Sequence, residues 1–142
     1  MAKERPGPKS SDDLADIIEL MLATGARIGE VLALRWRDVD FNARTVEVNA
    51  TIKTETGQGT YRKPLGEARL LHLSEFATAV LNMRRRAGVR NPVDAVFSTR
   101  NGTWHQVNNV ERRWRQVRRE AGLEWVTPHA FRDQPSSFRV DG

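Results

Sequence analysis

Arg27 and Glu30 stand three residues apart in the stretch 23–40, where Ile28, Val31, Leu32 and Leu34 give the inward face of a short helix. At that spacing the two side chains share one side of the helix, at its buried or cleft-facing edge. A carboxylate can hold part of the five-donor guanidinium fork and leave the remainder for an anion such as phosphate. The pair therefore reads either as a structural salt bridge at a helix start or as half of an anion site. Near the other end of the chain, Thr127-Pro-His-Ala-Phe-Arg132 offers an N-cap, a proline at the first helical position, and His129 and Arg132 one turn apart on one face. Lys53 lies where a hairpin begins to project; read alone, it could equally be a solvated strand lysine, and His129 a capping-turn histidine.

Charge is unevenly distributed. The chain of 142 residues carries a formal +5. Residues 11–40 hold seven acids against Arg27, Arg35 and Arg37, a net of −4, whereas residues 84–119 hold ten arginines against Asp94 and Glu111, a net of +8. Arginine rather than lysine suits recognition of phosphate by a planar fork, so the balance points to a polyanion partner. The absence of cysteine excludes disulfides and thiolate metal sites, and three histidines without helical pairing give no zinc pattern. Neither a metal nor another cofactor is expected. No apolar run reaches the length of a membrane span, and residues 1–10 lack the apolar core of a secretory signal, so a cytoplasmic protein with a flexible lead-in is expected.

The elements that must position these residues follow from periodicity. Ser10, Ser11, Asp12 and Asp13 start a helix whose Leu14, Ile17, Ile18, Met21 and Leu22 form one buried face, ended by Gly25. A second helix is predicted from about Arg27 to Trp36, with a turn at residues 38–40. Residues 44–54 alternate as a strand, with a slip at Asn49 and Ala50. Residues 55–59 make a turn, residues 61–66 an extension, and residues 69–73 the returning strand. Ser74 caps a helix to Ala87 with Phe76, Val80, Leu81 and Met83 inward. A last long helix, about His105 to Ala121, puts Val107, Val110, Trp114 and Val117 on one face. The expected fold is α+β and mainly α, a helical domain with a small three-stranded antiparallel sheet.

The order Ala23-Thr-Gly-Ala-Arg27-Ile-Gly-Glu30, then Lys53 on a hairpin, then His129-Ala-Phe-Arg132 at a helix start resembles the catalytic domain of the tyrosine recombinases, the phage integrase family. The resemblance covers residues 11–132 and implies a domain that clamps duplex DNA and cuts it by transesterification. It implies that Arg27 and Arg132 flank the scissile phosphate and stabilise its growing charge. It implies that Lys53 protonates the leaving 5′ oxygen, that His129 assists proton transfer or orients the phosphate, and that Glu30 holds Arg27. Further DNA contacts are expected from Arg62 and Lys63 on the hairpin and from Arg112, Arg113 and Arg115 on the last helix.

The departures from the family pattern lie after Arg132. The family places a second histidine or tryptophan and then the nucleophilic tyrosine well beyond that arginine, but here ten residues follow it, polar and without periodicity. Tyr61, in the hairpin extension, is the only tyrosine and does not match the nucleophile. The family's amino-terminal clamping domain has no counterpart either. The expectation is thus a partial, truncated catalytic domain at residues 11–132 with an unstructured tail at 133–142, binding duplex DNA without cutting it. Two further expectations stand beside it: a non-enzymatic basic nucleic-acid-binding module, and an inactive remnant that self-associates through uncovered apolar surface.

Overall fold

The computed structural model describes residues 10–88 and 90–122. Helix α1 (Ser10–Thr24) buries Leu14, Ile17, Leu20 and Met21 at i, i+3, i+6 and i+7. Leu22, expected in that face, is 68% exposed. Gly25 ends the helix in the left-handed region (φ 74), its N–H donating to the Met21 carbonyl, a conformation in which glycine meets no Cβ penalty.

The second helix is much shorter than its periodicity predicts. Helix α2 spans only Ile28–Leu32, and all five residues are buried. Beyond it the backbone pairs with a distant segment instead of with itself. Leu34 O accepts from Val96 N–H at 3.0 Å, and Trp36 N–H donates to Asp94 O at 2.9 Å, with Arg35 bridged to Ala95. A 3-10 turn, Trp36–Asp38, then leads into the sheet.

Strands β1 (Val39–Asp40), β2 (Thr45–Glu55) and β3 (Gly59–His72) form the antiparallel sheet in that order. Val46, Val48 and Ile52 of β2 face the core, as their alternation predicts, and Ala50, read as part of a slip, faces it with them. The slip anticipated at Asn49 and Ala50 is real but lies mainly on the partner strand. Val48 pairs with Arg69 and Ala50 with Pro64, so one residue of β2 stands opposite four of β3, residues 65–68. Apart from that excursion the hairpin is continuous, and the predicted extension and returning strand are one strand.

Helix α3 (Glu75–Ala87) is capped by Ser74, whose Oγ accepts Ala77 N–H at 3.1 Å. Its inward face is rotated from the predicted one: Phe76 and Met83 are 60% and 69% exposed, while Ala77, Thr78 and Leu81 are buried. The stripe Leu73, Ala77, Leu81, Arg84 follows the helical repeat and carries an arginine inward. Arg84 bonds Asp13 at 3.0 Å, Asp16 at 2.9 Å and the Val96 carbonyl, and lies 4.4 Å from the Phe97 ring centroid. A charged residue thus holds a position that an apolar count assigns to Met83. Helix α4 (Val107–Glu120) packs Val107, Val110, Trp114 and Val117 on the core as expected. Among the described residues, no helix is long and apolar enough to cross a membrane. The architecture is the α+β, mainly helical domain with a three-stranded antiparallel sheet read from the sequence.

Candidate functional site

Arg27 is the residue immediately before α2, in extended conformation (φ −79, ψ 159), and its side chain is exposed. Glu30 reaches back from the first turn so that Oε1 accepts the Arg27 backbone N–H at 3.1 Å, satisfying one orphan donor of the helix start. The two carboxylate oxygens also take a bidentate bond from Arg69 of β3, Nη2 to Oε1 at 3.0 Å and Nη1 to Oε2 at 3.3 Å. The expected support of Arg27 by Glu30 therefore runs through the backbone, and the guanidinium on the carboxylate belongs to Arg69. Burial acts to raise the Glu30 pKa, but the Arg69 hydrogen bond, the Arg27 N–H and both positive charges outweigh it and hold the carboxyl below its ordinary value.

Helix α2 rests directly on the hairpin at Gly29. A Cβ there would lie 2.5 Å from Thr51 Oγ1, so any larger residue at Gly29 would force the Thr51 side chain aside, with the Ile52 backbone already in van der Waals contact. That contact brings the start of α2 to the middle of β2. Thr51 pairs across the ladder with Lys63, and Lys53, two residues further toward the hairpin tip, pairs with Tyr61. Both lysines are exposed. Cross-strand neighbours lie about 5 Å apart, and i, i+2 neighbours about 6.7 Å. Lys63 therefore stands at least as near the Gly29 contact as Lys53 does. The Glu55 carboxylate acts to raise the pKa of the Tyr61 hydroxyl, chiefly by accepting a hydrogen bond from it.

His129 and Arg132 lie outside the described residues. Of the expected DNA contacts, Lys63, Arg112 and Arg115 are exposed, and Arg113 is half-buried with Nη1 on Gln116 Oε1 at 3.4 Å. Arg62 is placed differently. It turns inward, Nε donating to the Ala33 carbonyl at 2.8 Å and Nη2 to Asp38 Oδ2 at 3.2 Å and to Asn49 Oδ1, with its guanidinium 6.0 Å from the Trp104 ring. Its side chain is 16% exposed. Ile52, its ladder partner, is a core residue, and Arg62 shares that face of the sheet. The Asp38 carboxyl, which burial alone would raise, is held low by Arg35, Asn49 and the Arg35 N–H. Arg62 thus ties the hairpin to the segment after α2.

A separate cleft of about 630 Å³ opens between α1, α4 and the loop at 98–101, lined by Asp13, Arg100, His105, Arg112 and Arg113 among others. None of Arg27, Glu30, Lys53 or Arg69 is among its described lining residues. Asp13 and His105 of its lining meet with His105 Nε2 3.2 Å from Asp13 Oδ2, and Arg84 of α3 bonds the other Asp13 oxygen at 3.0 Å. Among the described residues no cluster of carboxylates and histidines is arranged to hold a metal ion.

In sequence order, the described residues thus give an arginine at the start of a short buried helix, a lysine-bearing antiparallel hairpin against that helix, and an arginine-rich helix. The chain belongs to the phage integrase family, whose model matches residues 3–137. It is 30% identical over 141 residues to tyrosine recombinase XerC of Bifidobacterium longum, covering 90% of this chain and 36% of that protein. It is 26% identical over 117 residues to XerC of Chlamydia caviae, covering 82% of this chain and 35% of that one. The chain thus spans about a third of the length of the curated relatives it matches. Among solved structures, the Tn1549 transposon integrase in complex with circular intermediate DNA superposes with a TM-score of 0.74 at 21% identity, over 91% of this chain and 45% of that one. XerA recombinase superposes with a TM-score of 0.58 at 23% identity, over 94% of this chain and 50% of that one. At these identities the superpositions bear on fold alone.

Arg69 was not among the sequence candidates. The signal available was an arginine in the otherwise apolar returning segment Leu70-Leu71-His72-Leu73, but a strand arginine is usually a solvated one, and its partner Glu30 is 39 residues away.

Proposed function

We propose that this chain is part of a tyrosine recombinase catalytic domain that grips duplex DNA by its phosphates, and that none of its own residues serves as the cleaving nucleophile. The observation that carries the reading is the seating of the Arg27 helix start on the hairpin at Gly29 and Thr51, beside Lys63 and Lys53. A guanidinium at the helix start and an ammonium on the adjoining hairpin are the groups that stabilisation of a charged phosphorane and protonation of its leaving oxygen require. In this reading Arg27 and Arg132 bind the non-bridging oxygens, His129 orients the phosphate, and a hairpin lysine faces the leaving oxygen. Lys53 is the sequence candidate for that role; the ladder partnership of Lys63 with Thr51 favours Lys63 as the alternative. Arg112, Arg113 and Arg115 add sequence-independent phosphate contacts.

Cleavage needs an oxygen nucleophile in line with the leaving group. Tyr61 is the one tyrosine of the sequence, and it pairs with Lys53 across the hairpin. A residue beside the leaving-group lysine does not reach the opposite side of the phosphorus. The chain therefore binds and polarises a diester without breaking it. The test is a denaturing gel of end-labelled nicked duplex incubated with the chain and with its Tyr61→Phe variant. The expected result is no slow-migrating adduct in either lane. An adduct abolished by Tyr61→Phe would make Tyr61 the nucleophile, and one that persists would mean another side chain attacks.

A further inference from the structure

We infer that Arg69 is a positioning residue for Arg27, acting through Glu30 rather than by touching DNA itself. The inference rests on the phosphate-binding reading of Arg27 and adds to it the device that sets that arginine's direction. Three contacts carry it. Glu30 Oε1 accepts the Arg27 backbone N–H at 3.1 Å; the same oxygen takes Arg69 Nη2 at 3.0 Å; Oε2 takes Arg69 Nη1 at 3.3 Å. A bidentate fork fixes the plane of a carboxylate as well as its place. The carboxylate so fixed has 11% side-chain exposure and is the acceptor for the peptide unit from which Arg27 departs.

Arg69 is itself well anchored. It pairs with Val48 of β2 where the ladder resumes, directly after the four-residue excursion of residues 65–68. Val48 is 1% exposed, so the strand beneath the fork is a core strand. The start of α2 is thus attached to the hairpin at two points, the Gly29 contact on β2 and the Glu30 fork on β3. Two attachments resist rotation of a five-residue helix where one permits it. Without Arg69, Glu30 would be a carboxylate in a buried place with a single N–H and the Arg27 charge to hold it. The groups facing it among the described residues are Arg27 from its own helix start, Arg69 from β3, and uncharged Thr51 and Ile52 of β2 beside Gly29.

The experiment uses the full chain and two readouts. In the first, the Arg27 amide resonance is followed by NMR through acid pH in the wild-type chain and in Arg69→Gln, Arg69→Lys and Glu30→Gln. The amide reports Glu30 through their hydrogen bond. The expected result is a midpoint that rises by roughly one pH unit in Arg69→Gln, rises less in Arg69→Lys, and disappears in Glu30→Gln. An unchanged midpoint in Arg69→Gln overturns the inference. In the second, binding of a fluorescent duplex is measured against salt. Arg27→Ala lowers the salt slope by about 0.9, and adding Arg69→Gln to it lowers the slope no further. A further fall of about 0.9 would mean that Arg69 contacts a phosphate directly, which also overturns the inference. A raised Arg27 midpoint in a chain that binds no DNA would instead sustain the link between Arg69 and Arg27 and remove the functional reading of Arg27.

Discussion

Arg69 holds Glu30 with both Nη atoms, at 3.0 and 3.3 Å, across 39 residues of sequence, and in doing so ties the far strand of the hairpin to the first turn of α2. The same carboxylate accepts the backbone N–H of Arg27. One glutamate therefore joins the long-range architecture to the residue that the family resemblance assigns to phosphate. Its neighbour Gly29 supplies the second junction by admitting Thr51 against the helix backbone.

Acid should weaken the fold. Glu30, Asp38 and Asp13 all have folded-state pKa values below their ordinary ones, because arginine partners and hydrogen bonds outweigh burial. A carboxyl whose pKa falls on folding contributes stability above its unfolded pKa, and that contribution is lost as pH falls through the folded value. Urea midpoints should be level near neutrality and drop below about pH 4. A midpoint that rises on acidification contradicts the account.

Arg62→Met should destabilise the chain by about 3 kcal/mol, because it leaves the Asp38 carboxylate, 4% exposed, with fewer donors and frees the Ala33 carbonyl. Chemical denaturation gives the number. In the remaining folded protein the salt dependence of DNA binding should match the wild type, since this guanidinium is engaged within the protein.

Gly29→Val should cost about 2 kcal/mol or more. The new Cβ would lie 2.5 Å from Thr51 Oγ1, with the Ile52 backbone already in van der Waals contact at 3.5 and 3.6 Å, so a branched side chain has to displace its neighbours. DNA affinity of the folded fraction should fall with it, because Arg27 moves relative to the hairpin. A Gly29→Val chain with wild-type melting and affinity would show that the contact is not needed.

Phe76→Ser should change stability by less than about 0.5 kcal/mol, whereas Leu81→Ala, at a fully buried site, should cost about 3 kcal/mol. Equal effects at the two positions would restore the inward face that hydrophobicity alone assigns to α3.

That contrast shows where the sequence was legible. Alternation at Val46, Val48 and Ile52 located β2, and the 3.6 repeat of Val107, Val110, Trp114 and Val117 located α4, because each face meets one continuous core. The face of α3 was misread because its inward stripe ends in Arg84, whose charge is matched by Asp13 and Asp16 from a helix 68 to 71 residues away. The end of α2 was misread because Leu34 and Trp36 bond a segment some 60 residues downstream. For the site, Arg27, Glu30 and the hairpin were readable from local spacing. The Arg69 fork and the inward turn of Arg62 were not, since both depend on partners that only the folded chain brings near.

The central claim is that Arg27 is a phosphate-binding group on a DNA-gripping face, and salt-dependent binding tests it most directly. Fluorescence anisotropy of a labelled duplex would be recorded from roughly 50 to 200 mM salt for the wild-type chain and Arg27→Ala. The account predicts wild-type affinity that falls steeply and log-linearly with salt, and an Arg27→Ala slope shallower by about 0.9, one released counterion equivalent. A wild-type isotherm indifferent to salt, or an Arg27→Ala chain with the wild-type slope and affinity, would contradict it.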